Sequence, residues 1–275
     1  MPGYLDVSLR FVDPLDDFRL FDAVADQRAL VEAYTRLAPR GLGGPGEPAG
    51  QCVLAPPTYY QTAAGVEAMR AVNDFVLGQA RARPEIAAAF GVVEPKYEGH
   101  AEPELERLAA QGVKGVVWSG RAQGVFVNDA LMLSLCAKAH DLGLLSMYLT
   151  APYSSNEALW RILALARRCP DVPVIVSGAM QGYDNAQHVA SMLDDPGNVY
   201  FDTASWSGSS GFIQFAGRLA EKERLVFGTG GSAPADQAAG KLRGALAAAG
   251  LSEGRIEGVM HRTARKLLGL AENRA

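Results

Sequence analysis

The chain has 275 residues, 48% of them hydrophobic and 20% charged, which excludes disorder and fibrous repeats and leaves one large core or two small ones. A net charge of -4 gives no electrostatic reason to bind nucleic acid or an anionic membrane. The three cysteines, Cys52, Cys136 and Cys169, are too widely spaced for a disulfide framework or a thiolate zinc site, and no apolar run reaches the roughly 20 residues of a membrane span. Residues 1–13 lack the basic, apolar, small-residue order of a signal peptide, so the expectation is a cytoplasmic protein.

Short apolar runs alternate with longer amphipathic ones along the whole chain. Strands are expected at 4–9, 51–55, 87–93, 113–118, 144–149, 173–177, 199–201 and 224–227. Helical spacing marks 103–111, 129–142, 156–169 and 235–249, with stops at Gly112, Gly143, Pro170 and Gly250. Strands apolar on both faces and separated by helices suit a parallel sheet covered by helices, and eight such units in this length match an α/β (β/α)8 TIM barrel. An open doubly wound sheet is the alternative, but no Gly-x-Gly-x-x-Gly follows the first strand. The Gly/Pro-rich stretch 40–50 lies within the first β/α unit and reads as a surface loop, leaving one domain over 1–275.

Barrel chemistry gathers where the strands end. Those ends carry Ser8 and Arg10, Glu94 to Lys96, Trp118, Tyr148, Ser177 and Gly178, Asp202 and Thr203, and Gly230 to Ser232. Several segments in order, "LDVSLRF", "ELERLAAQGVKGVVW", "AHDLGLLSMYL", "CPDVPVIVSGAMQG", "NVYFDTAS", "ERLVFGTGG" and "HRTARKLLGL", resemble the amidohydrolase-2 family of metal-dependent TIM-barrel hydrolases and decarboxylases. The resemblance runs nearly the full chain. It implies metal ligands at the positions of Ser8, Arg10, Tyr148, Gly178 and Gly230, where the family places histidines and an aspartate, and all five depart from that pattern. Histidines 100, 140, 188 and 261 fall in loops and helices, away from strand ends. A loop cluster of Glu94, Glu98, His100 and Glu102 is either a metal site or a charged surface. The expected site is therefore metal-free, with no cofactor.

Arg10 puts a permanent positive charge where a metal would sit, and its planar fork suits a small carboxylated or phosphorylated molecule. The same geometry allows a structural ion pair with Asp202 or Glu94. Gly230, Gly231 and Ser232 lead into a helix starting near Pro234, either as an anion-binding turn or as an ordinary helix cap. The loop at 203–211 contributes Thr203 and Trp206 as a wall, or is simply surface. Tyr148, Arg10, Asp202 and Lys96 are the candidate acid–base groups, and Ser8, Trp118, Ser177 and Gly178 complete the expected ligand contacts. Three readings follow: a metal-free barrel binding a small anion and transforming it by acid–base chemistry, an active metal-dependent hydrolase or decarboxylase with ligands elsewhere, and a pseudoenzyme partner of an intact homologue. The resemblance also implies a homodimer or such a heteromer.

Overall fold

Each strand of this protein has two apolar faces to bury, one toward a lumen and one toward a helix layer. The structure is a computed structural model that describes residues 3–10, 50–55, 57, 60–97, 99–151, 153–181, 188–189, 197–206, 210–230 and 235–270. The segment 40–49, Glu98, Gly231, Ser232 and the Arg10 side chain lie outside the described residues.

The strands are β1 (Leu5–Arg10), β2 (Gly50–Leu54), β3 (Ile86–Val92), β4 (Gly115–Trp118), β5 (Leu145–Leu149), β6 (Val174–Ser177), β7 (Val199–Asp202) and β8 (Leu225–Val226). They form one sheet in sequential order with every pair parallel. The sheet closes on itself: the Val7 N–H of β1 donates to the Phe227 carbonyl just past β8 at 3.1 Å. This is the α/β (β/α)8 barrel, and its strands lie within a few residues of their expected positions.

The helices are α1 (Ala63–Ala82), α2 (Ala101–Ala110), α3 (Gly120–Gln123), α4 (Ala130–Asp141), α5 (Leu159–Arg168), α6 (Ser210–Glu221), α7 (Ala235–Ala248), α8 (Glu253–Glu257) and α9 (Thr263–Leu267), with a π-helical turn at Gly258–Arg262. α1 is not among the expected helices, although Thr62 caps it by accepting from the Gly65 N–H and Val66, Met69, Val72 and Val76 form its buried stripe. Leu5, Val7, Cys52, Leu54, Phe90, Val117, Met147, Ile175 and Val226 pack together as the inner cluster, which Ala264 and Leu268 from the C-terminal end join. Trp118, Tyr148, Val176 and Phe201 pack instead with helix residues such as Leu105, Leu135 and Ile162.

That alternation corrects two expectations. On β5, Met147 and Leu149 belong to the inner side, so the period of two turns Tyr148 outward, where its hydroxyl meets Cys136 of α4 and burial pushes its pKa well up. Trp118 likewise faces the helix layer, stacks on Tyr148 and donates from Nε1 to the Ser146 hydroxyl.

The end of β3 is pinned by Asn73 of α1, whose side-chain amide exchanges two 2.8 Å hydrogen bonds with the backbone of Val92. Asn73 in turn donates to buried Glu104 of α2, which also accepts from Arg70 and twice from Arg107. We expect Glu104→Ala to cost about 2–4 kcal/mol, because it strands these donors, and Glu104→Gln to cost clearly less. Urea unfolding of the two variants checks this.

Candidate functional site

One group of polar residues that the barrel buries at its C-terminal end comes from β1, β6, β7 and the turn after β8. Asp6 is fully buried; its Oδ1 accepts from the Ser8 N–H at 3.0 Å and the Thr229 N–H at 3.1 Å, and its Oδ2 accepts from the Thr229 hydroxyl at 2.6 Å. Burial pushes its pKa up to about 6; the Thr229 hydroxyl and the Ser8 and Thr229 amides oppose that rise, and the charge of Asp202 adds to it. Asp6 was not singled out from the sequence. A carboxylate between Leu5 and Val7 in an apolar run was the available signal, since such a group must find partners when buried.

Asp202 ends β7 and is also fully buried. Its Oδ1 accepts from the Gly178 N–H at 3.3 Å and the Ala204 N–H at 3.1 Å. The Ser177 and Ser8 hydroxyls stand beside the carboxyl, yet Oδ2 and the Ser177 hydroxyl are both buried without a well-formed hydrogen bond among the described residues. Burial raises the Asp202 pKa above the usual carboxylate range, while those neighbours pull it back down.

Glycine at the two loop positions has a backbone cause. Gly178 has φ +85° and Gly230 has φ +64°, a region that strains any side chain, and each uses its N–H, the first toward Asp202 and the second toward the Ser8 hydroxyl at 3.1 Å. Thr203 binds Gly228 reciprocally, at 3.0 Å and 3.1 Å. The structure thus brings Ser8, Ser177, Gly178, Asp202, Thr203 and Gly230 of the expected set together with Asp6.

Other expected members stand elsewhere. Lys96 is exposed on the loop after β3, and Trp206 packs on Phe212 of α6 beneath Lys241 of α7. Glu94 is buried as a loop fastener, accepting from the Tyr60 and Lys96 amides. His100 precedes α2 against Tyr97, His261 pairs with Glu257, and His140 and His188 are helical. Arg10 closes β1 opposite Leu54, with its side chain outside the described residues, as are Gly231 and Ser232.

The residues described do not fit a divalent metal. Among them no three His, Cys, Asp or Glu side chains gather as a metal-binding group. Asp6 has both oxygens engaged, and Asp202 leaves one oxygen free where such an ion needs about four donors or more.

A model of the amidohydrolase family, Amidohydro_2, matches residues 19–270. The chain belongs to that family. No curated protein matches it. Among solved structures it is similar to 5-carboxyvanillate decarboxylase LigW from Sphingomonas paucimobilis, with TM-score 0.68 and 14% identity over 98% of this chain and 100% of that one. It is also similar to 2,6-dihydroxybenzoate decarboxylase from Rhizobium, with TM-score 0.65 and 16% identity over 98% and 99%. A dihydroxybenzoic acid decarboxylase from Polaromonas sp. JS666, solved with bound manganese and the inhibitor 2-nitroresorcinol, gives TM-score 0.65 and 17% identity over 100% and 98%. At these identities the likeness establishes the fold that this amidohydrolase-family chain shares with them. Among the described residues no helix is long and apolar enough to cross a membrane.

Two predictions follow from the buried cluster. A carboxyl with its folded pKa near 6 and an unfolded value near 3.8 binds its proton more tightly in the folded chain, so its contribution is present at low pH and is lost as pH rises through 6. Asp6 should therefore make the protein about 1 kcal/mol more stable at pH 5 than at pH 8, and Asp6→Asn should remove that component in denaturation curves at the two pH values. A methyl group on Gly228 would stand 2.4 Å from the Ser8 hydroxyl and 2.9 Å from Asp202 Oδ2. Gly228→Ala should cost about 2 kcal/mol, read as a lower melting temperature.

Proposed function

We propose that the mouth of this barrel is a metal-free acid–base site for a small carboxylated molecule, with Asp202 as the group that moves the proton. The observation that carries this reading is Asp202 itself: fully buried, with a raised pKa and an oxygen, Oδ2, without a well-formed hydrogen bond among the described residues, beside the Ser177 and Ser8 hydroxyls. Burial that raises the proton affinity of a carboxyl suits it to deliver a proton. Arg10, at the end of β1, is the proposed partner of the ligand's carboxylate, and Ser8 and Ser177 are the proposed polar contacts.

The solved relatives act on aromatic carboxylates, which suggests the substrate class. For such a molecule, the Asp202 proton passes to the ring carbon that bears the carboxylate. The electrons of the carbon–carbon bond return to the ring as carbon dioxide leaves, and water restores the proton to Asp202. Incubation of 2,6-dihydroxybenzoate in deuterated water with chelator-treated protein, followed by NMR for ring deuteration and decarboxylation, tests the reading. Asp202→Asn should lower the rate by about 100-fold or more and leave binding of the carboxylate within about threefold. Equal rates for Asp202→Asn and the unaltered chain would overturn it.

A second reading is favoured by the manganese in the Polaromonas structure: metal-dependent chemistry with ligands from residues outside those described. One tightly held transition metal per purified chain, required for turnover, would decide for it.

A further inference from the structure

Away from the Asp202 cluster, a cavity of about 630 Å³ opens between the loop after β3 and the first turns of α2 and α4. Pro95, Tyr97, Pro103, Leu131 and Leu135 give it apolar walls, and among the described residues Lys96 and Glu102 are its charged members. Its volume lies within the range that takes a small organic ligand. Leu131 remains 43% exposed at its edge, an apolar surface that an occupant would remove from water.

The two charges are not equivalent. Glu102 sits in the first turn of α2, where the helix dipole favours a carboxylate, and Lys138 of α4 acts on it as well. Lys96 makes no ion pair with any described residue. Glu94 attracts it, but the Glu94 oxygens are held by the backbone amides of Tyr60 and Lys96 itself. Among the described residues the charge left for a ligand to answer is therefore that of Lys96, at the edge of an apolar chamber.

We propose that this cavity is a second binding site, for a small apolar carboxylate whose hydrocarbon part lies against Leu131, Leu135, Pro95 and Pro103 and whose carboxylate meets the Lys96 ammonium. It shares no residue with the Asp202 cluster, so it stands or falls independently of the acid–base reading. The occupant combines a charge-assisted contact with burial of apolar carbon, and it has no need of a metal.

Phenylacetate, its neutral analogue phenylacetamide, and NMR of methyl-labelled protein provide the test. Phenylacetate should saturate by about 20 mM, as expected for a fragment of this size, and move the Leu131 and Leu135 methyl signals. Phenylacetamide and the Lys96→Met variant should each weaken binding by about tenfold, whereas Lys96→Arg should retain it. Leu131→Asp should abolish it, and Asp202→Asn should leave it unchanged, which separates this site from the barrel mouth. Lys96 and Leu131 are both on the surface, and melting temperatures of the variants close to that of the unaltered chain establish that any loss is local. Absence of saturation, equal affinity of Lys96→Met and the unaltered chain, or methyl shifts confined to the barrel mouth would each overturn the proposal.

Discussion

The barrel must close across a seam where the last strand, Leu225–Val226, offers only two ladder residues. A strand that short supplies little hydrogen bonding to its neighbours, and the described ladder across the seam includes the single bond from Val7 to Phe227. Asp6 makes up the difference by gathering the amide and hydroxyl of Thr229 and the amide of Ser8 around one buried carboxyl. Burying that group is unfavourable in itself, as its raised pKa records, and the arrangement persists because three donors converge on it. The cluster of Ser8, Gly228, Gly230 and Asp202 is packed around the same seam, so closure and the candidate site rest on one set of contacts.

Those contacts also change the meaning of the glycines. Compared by position with the family's metal ligands, Gly178 and Gly230 look like deletions. In the fold they are left-handed turns whose amides point at Asp202 and at Ser8. A histidine or aspartate at either place would have to adopt a strained backbone, and at Gly178 its Cβ would stand 2.9 Å from the Thr150 carbonyl. At both positions the backbone N–H, and no side chain, supplies the hydrogen bond.

The strand pattern was legible because buried parallel strands are short unbroken apolar runs, and those runs survive in any context. Facing was less legible, for a one-residue shift reverses every side chain: Tyr148 matches a family ligand by position, yet the inner side of β5 carries Met147 and Leu149. Of the candidate site, Asp202 and Ser177 could be read from strand ends. The role of Asp6 could not, since its partner Thr229 lies more than two hundred residues away in sequence and only barrel closure brings the two together. Nor does an apolar run fix the residues just past its end, which can turn into the mouth or away from it: Lys96 stands exposed on the loop after β3, its N–H held by Glu94.

Two buried carboxyls that feel each other cannot both carry full charge without penalty: burial raises the pKa of each, and the charge of Asp202 adds to the rise at Asp6. Asp6 has every oxygen met by donors, including the 2.6 Å contact from Thr229, an environment shaped for a carboxylate. Asp202 has its backbone amide donors on Oδ1, and the Ser177 and Ser8 hydroxyls are the other polar groups beside its carboxyl. These hydroxyls oppose the rise in its pKa, as donors to a carboxylate do. The seam thus distinguishes its two acids by hydrogen bonding: Asp6 has well-formed donors on both oxygens, and Asp202 has them on Oδ1.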